Sequence, residues 1–186
     1  WQQRMVWART LVFWADERCV GPDHPESNYG MAMRELLIHI RAASVCRMRG
    51  EDEPAAAALA YERLLRENVP ADENGIPRFD CILLGMGADG HTASLFPESP
   101  ILNEKKALVA VGRAAHLGDL PESHRLTLTL PVLNAARCCL FLAGGANKRT
   151  SLRAALDLMA EPNLPVQFVR PENGKVVWIV DEAACH

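Results

Sequence analysis

The sequence predicts one α/β domain built on a mostly parallel β-sheet with helices on both faces. Three observations predict it. Short apolar runs with strand character alternate with stretches of helical periodicity, which is the pattern of a parallel sheet covered by its own crossover segments. The 186 residues are enough for one sizeable core, and nothing among them reads as a linker between two cores. Finally, the residues capable of chemistry gather just after strand-like runs, where sheets of this kind place their ligands.

In chain order, residues 10–14 form a β-branched and aromatic run, followed by a loop carrying Gly21, Pro22 and Pro25. Ser27 or Asn28 can cap the next helix, in which Tyr29, Met33, Leu36, Leu37 and Ile40 recur at helical spacing before Gly50. Asp52 and Pro54 open a second helix, with Leu59, Leu64 and Leu65 as its apolar stripe. Residues 79–84 are a compact apolar run that breaks into glycines, as a buried parallel strand does at the sheet's edge. Residues 107–111 read as another strand. Residues 125–130 alternate, with Leu126, Leu128 and Leu130 on one face and Thr127 and Thr129 on the other. A buried strand at 138–143, a helix at 147–159 and a last strand at 175–180 complete the series.

The 23 acidic and 20 basic residues are dispersed, which argues against a nucleic-acid surface. No apolar run reaches membrane-spanning length and no signal-peptide layout opens the chain, so a cytoplasmic protein is expected. Cys19, Cys46, Cys81, Cys138, Cys139 and Cys185 lack metal-ligand spacing and read as reduced packing thiols. The chain starts at Trp1 with a strand-like run almost at once, so a single domain over residues 1–186 is expected, incomplete at its N-terminus.

Gly85, Gly87 and Gly90 spell GxGxxG after a strand, but a dinucleotide site does not fit. Pro97 interrupts the helix that should follow, Asp89 would set a carboxylate against pyrophosphate, and no acidic residue closes a strand some twenty residues on. The glycines instead let a tight loop project Asp89 and His91 into a crevice. His24, His39, His116, His124 and His186 have no such setting and read as surface groups. Across the crevice, Arg18 follows Asp16 and Glu17. Lys148 follows Gly144-Gly145 at a helix start, where a cation is disfavoured unless an anion binds there too. No GxSxG motif or Cys/His pairing supports a covalent mechanism. What remains is a base, an anion site and water.

Residues 79–97, from Phe79 through Gly85-Met86-Gly87-Ala88-Asp89-Gly90-His91 to Pro97, resemble the signature of the 6-phosphogluconolactonase family. Phe13-Trp14-Ala15-Asp16-Glu17-Arg18, the stretch 125–137 and the turn from Gly145 to Lys148 match it in the same order. The resemblance implies a three-layer α/β fold shared with sugar-phosphate isomerases and coenzyme A transferases. It implies hydrolysis of 6-phosphoglucono-1,5-lactone in the oxidative pentose phosphate pathway, with no metal or organic cofactor. It places the catalytic histidine on His91, with Asp89 to orient the imidazole or the water. Phosphate-binding groups fall on Arg18 and Lys148, with Arg125 as a further anion ligand. The partner implied is a small phosphorylated sugar lactone, not nucleic acid or membrane; the oligomeric state is not legible. Family members carry an additional N-terminal strand-loop-helix with a Ser/Gly-rich loop at the phosphate, which this sequence lacks, so an exposed sheet edge near Trp1, Val6 and Trp7 is expected. Two alternatives are a glucosamine-6-phosphate deaminase or isomerase, whose glutamate five residues after the histidine is here Phe96, and a non-catalytic sugar-phosphate-binding domain.

Overall fold

The computed structural model describes residues 5–114, 117–118, 123–157, 159 and 162–185; Trp1, His116 and His186 lie outside them. The elements in chain order are β1 (Leu11–Phe13), β2 (Asp16–Arg18), α1 (Asn28–Glu35), β3 (Ser44–Cys46), α2 (Pro54–Asn68), β4 (Ile82–Gly85) and β5 (Val109–Arg113). There follow β6 (His124–Leu128), α3 (Leu130–Ala135), β7 (Cys138–Ala143), α4 (Arg149–Leu156), β8 (Lys175–Val180) and α5 (Glu182–Cys185).

The α/β class holds. β1 pairs with β3 in parallel, and β7 lies between β4 and β8 in a second parallel ladder. A third ladder, in the order β2-β6-β5, is antiparallel and was not anticipated. Alternation along a strand shows which residues share a face but not which way the neighbouring chain runs. Residues 16–18, read above as a loop, form a strand in this ladder. Thr127 and Thr129, placed above on the polar face, are fully buried. Their hydroxyls are satisfied there, Thr127 Oγ1 accepting from Ser94 N–H at 3.2 Å and Thr129 Oγ1 donating to the Ala107 carbonyl at 2.6 Å.

Local chemistry accounts for the helices. Ser27 caps α1, its hydroxyl accepting from Gly30 N–H at 3.0 Å. The helix ends at Glu35, short of the expected run to Ile40, because Leu36 leaves helical geometry and Leu37–His39 form a separate 3₁₀ turn that buries Leu37. Pro54 opens α2, capped by Glu53. The buried face of α2 is Ala57, Ala58, Tyr61 and Leu65, whereas Leu59 is 60% exposed, contrary to the predicted stripe. Tyr61 decides the rotation of the helix. Its hydroxyl accepts from Trp14 N–H at 2.8 Å and lies 3.1 Å from the Trp14 carbonyl and 3.3 Å from the Cys46 carbonyl, which ties α2 to the β1-β3 pair.

One continuous core joins Trp14, Tyr61, Leu65, Leu84, Leu126, Leu133 and Phe141, so the ladders share a hydrophobic interior. The 79–84 run is buried on one side only. Ile82 and Leu84 face the core, while Leu83 on β4, Leu142 on β7 and Ile179 on β8 are 62%, 49% and 54% exposed. Val6 is also exposed. No helix among the described residues is long and apolar enough to cross a membrane.

Candidate active site

The carboxyl end of β4, the strand β2, the amino end of β6 and the turn after β7 surround a cavity of about 370 Å³. β4 delivers the loop 85–91 to it. Gly87 N–H donates to the His91 carbonyl at 2.8 Å and Gly90 N–H to the Gly87 carbonyl at 3.0 Å, closing the loop tightly. Gly90 sits at φ +80°, where L side chains are strained. At Gly87 a Cβ would lie 2.1 Å from His91 Nδ1 and 2.4 Å from Asp89 Oδ1, so any side chain there would displace both groups. Val166 N–H donates to the Gly90 carbonyl at 3.1 Å and braces the loop from outside.

Within the loop, Asp89 Oδ1 stands 2.6 Å from His91 Nδ1 and also accepts from His91 N–H at 3.2 Å. Burial works against the charge on Asp89, but the backbone N–H and imidazole of His91 outweigh it and hold the carboxyl below its ordinary value. A carboxylate at Nδ1 keeps the proton of the neutral ring on that nitrogen and leaves Nε2 with a free lone pair. The ring packs at 4.8 Å against Phe96, and both line the cavity.

Arg18 and Arg125 reach the same cavity from β2 and β6, where the register sets them directly opposite each other. Like charges across a ladder repel. Arg125 is 7% exposed, and burial followed by the charge of Arg18 lowers its pKa. An anion between the two would relieve that repulsion. As the structure stands, Arg18 donates to the Glu26 carbonyl and lies 3.7 Å from its carboxylate, while Arg125 Nη1 donates to the His124 carbonyl at 3.2 Å. Lys148 ends a 3₁₀ turn, Ala146–Lys148, after β7, and its ammonium donates to the Met86 carbonyl, bridging this turn to the His91 loop. The Gly145 N–H donates to both carboxylate oxygens of Asp181, at 3.0 and 2.9 Å, so that amide of the turn is already taken.

The five residues singled out from the sequence therefore converge. His91, Arg18, Arg125 and Lys148 line the cavity, and Asp89 stands behind the imidazole. Asp16, whose triplet the sequence already places at the crevice but without a role, lines it too, as do Asn28 and Ser94, for which the sequence offers no site signal. Ser94 Oγ donates to Asp16 Oδ2 at 2.7 Å, and Asn28 Nδ2 donates to the Asp16 carbonyl at 3.0 Å. Burial raises the pKa of Asp16, against the opposing pull of the Ser94 hydrogen bond, Arg18, Arg125 and His91. The signal was present in the Asp16-Glu17-Arg18 triplet: in a strand, residues two apart share a face, so Asp16 belongs with Arg18. Glu17 points the other way, where its carboxylate accepts from the N–H groups of Asn28 and Tyr29, both at 2.7 Å, at the start of α1. Among the described residues no group of three or more His, Cys, Asp or Glu side chains is arranged to hold a metal ion.

Fold and cavity together define an α/β protein whose strand ends set a histidine–aspartate pair against three cations. Residues 1–178 match the family described as glucosamine-6-phosphate isomerases/6-phosphogluconolactonase. The chain belongs to that family. It is 41% identical over 181 residues to a human 6-phosphogluconolactonase, an alignment that covers 95% of this chain and 67% of the relative. It is 38% identical over 190 residues to a probable 6-phosphogluconolactonase of Arabidopsis thaliana, covering 96% and 70%. The solved structure of the 6-phosphogluconolactonase of Trypanosoma brucei superimposes with a TM-score of 0.81 at 32% identity, over 92% of this chain and 72% of that one.

Proposed function

We propose that the chain hydrolyses 6-phosphoglucono-1,5-lactone to 6-phosphogluconate in the oxidative pentose phosphate pathway, with His91 as general base. The relatives' names supply the reaction class, and one observation carries the mechanism: the Asp89–His91 pair, 2.6 Å apart, shares a cavity with Arg18, Arg125 and Lys148.

The chemistry follows from the groups present. Asp89 holds the Nδ1 proton, so Nε2 takes a proton from water as that water attacks the lactone carbonyl carbon. Asp89 stabilises the imidazolium that forms. As the tetrahedral intermediate collapses, the ring C–O bond breaks and the imidazolium returns its proton to the departing ring oxygen. The net change is addition of one water, giving a carboxylic acid and a hydroxyl group. Arg18, Arg125 and Lys148 bind the phosphate, a dianion near neutral pH that offsets their mutual repulsion. Because the phosphate is remote from the reacting carbon, its binding energy goes into holding that carbon at the base. Asp16, presented by Ser94 and Asn28, is an acceptor for sugar hydroxyls. The same reading places the protein in the cytoplasm, a placement that its six free thiols support.

The test is hydrolysis of the phosphorylated lactone beside unphosphorylated glucono-1,5-lactone, followed by proton release with the spontaneous rate subtracted. A kcat/KM preference for the phosphorylated substrate of about tenfold or more, equivalent to about 1.4 kcal/mol of phosphate recognition, is expected. Equal values for the two lactones would remove the cation cluster from substrate binding.

A further inference from the structure

Cys138 opens β7 and Cys81 immediately precedes β4, at the end of the ladder opposite the cavity. The register pairs Ile82 with Cys139 and Leu83 with Leu140, so one step back along both parallel strands sets Cys81 opposite Cys138. Hydrogen-bonded neighbouring strands run about 4.8 Å apart, inside the roughly 4.4–6.8 Å range of Cα separations that a disulfide spans. Side chains alternate along a strand. Cys139 is fully buried in the core, its thiol donating to the Leu133 carbonyl at 3.4 Å, so Cys138 takes the other face. Cys81 shares that face with Leu83, which is 62% exposed. Cys81 is itself exposed and Cys138 half-buried, and both are free thiols. The Cys81 thiol lies above its usual pKa, first through burial and then through the Cys138 thiol beside it.

We propose that Cys81 and Cys138 are a reversible dithiol–disulfide pair, closed by exchange with a small disulfide such as oxidised glutathione. Cys81, the more accessible of the two, reacts first: its thiolate attacks one sulfur of the small disulfide and expels a thiolate, leaving a mixed disulfide. The Cys138 thiolate then attacks Cys81 Sγ and expels the second small thiolate. Two protein thiols are oxidised, one small disulfide is reduced to two thiols, and the two protons go to the departing thiolates. The raised pKa of Cys81 makes the first step slow at neutral pH and faster as pH rises. Closure would link the two strands whose far ends carry the His91 loop and the Lys148 turn.

The experiment equilibrates the whole chain in glutathione redox buffers at about pH 8, blocks the remaining thiols and maps the products by peptide mass spectrometry. The expected result is one intramolecular crosslink, Cys81 to Cys138, that opens with dithiothreitol. The closed form should melt on the order of 10 °C higher, since the crosslink closes a long stretch of chain. Cys81→Ser and Cys138→Ser, at partly accessible positions, should each abolish the crosslink and the rise in melting temperature. Recovery of Cys81 only as a glutathione adduct with Cys138 still alkylatable, or a crosslink joining other cysteines, would overturn the proposal from the wild-type protein alone.

Discussion

Replacing Glu17 by Gln tests how the Arg18 strand is held. Glu17 is 2% exposed, and its carboxylate is fully used. Oε1 accepts from Arg18 N–H at 2.8 Å and Asn28 N–H at 2.7 Å; Oε2 accepts from Ser27 Oγ at 3.1 Å and Tyr29 N–H at 2.7 Å. Glutamine preserves the shape and one of the two acceptor oxygens. Its NH₂ group can donate to Ser27 Oγ if that hydroxyl turns, but it meets Tyr29 N–H donor to donor. The loss is then one hydrogen bond to a charged acceptor, about 1.5–3 kcal/mol, and the negative charge at the start of α1, about 0.3–1 kcal/mol. Together these come to about 2–4 kcal/mol, or a melting temperature lower by roughly 5–15 °C for a chain of this size. Because Glu17 also fixes the backbone of Arg18, KM for the phosphorylated lactone should rise in the folded fraction. Thermal and urea denaturation measure the first effect and steady-state kinetics the second. A Glu17→Gln protein within about 0.5 kcal/mol of wild type, the range of an ordinary surface substitution, would refute the reasoning.

Asp16→Asn should separate stability from activity. The folded-state pKa of Asp16 is raised, so its ionisation opposes folding once the pH exceeds the ordinary value of 3.8, and this penalty is complete above the folded pKa. The variant should therefore be more stable than wild type at about pH 7, with the advantage vanishing below about pH 3, while kcat/KM falls; denaturant melts across pH check it, and an unstable variant at neutral pH would contradict it. Asp181→Ala frees Gly145 N–H and also the Ala184 N–H that Asp181 accepts at 2.8 Å, which loosens the Lys148 turn. KM for the phosphorylated lactone should rise several-fold, roughly the effect of a mispositioned charged contact, with kcat much less affected; a fall in kcat at constant KM would count against a positioning role.

Features encoded by neighbouring residues were legible in the sequence. Ser27 before α1, Pro54 at the start of α2 and the glycine-rich turn from Gly85 to His91 act over a few bonds, and the structure places them as read. Strand direction was not legible, because β2 is three residues long and its antiparallel partner β6 lies more than a hundred residues away. The rotation of α2 was misread for a related reason. Hydropathy favours Leu59, but small alanines and one hydrogen-bonded tyrosine allow closer packing, and Leu59 was left outside. Asp16 has no legible role, although its triplet is placed at the crevice, because which of three consecutive charges faces the cavity depends on the strand geometry of residues 16–18. Arg18 and Arg125 were read as separate anion ligands; that they face each other follows only from the register.

The general-base role of His91 is the centre of the account, and the turnover of His91→Ala tests it most directly. The imidazole is one-third exposed and its polar partner is Asp89, so the variant should fold and melt close to wild type. With spontaneous lactone hydrolysis subtracted, kcat should fall by a factor on the order of 10²–10⁴, the usual contribution of a positioned base, while KM changes little because the phosphate cluster is intact. A folded His91→Ala protein with kcat near that of wild type would contradict the assignment.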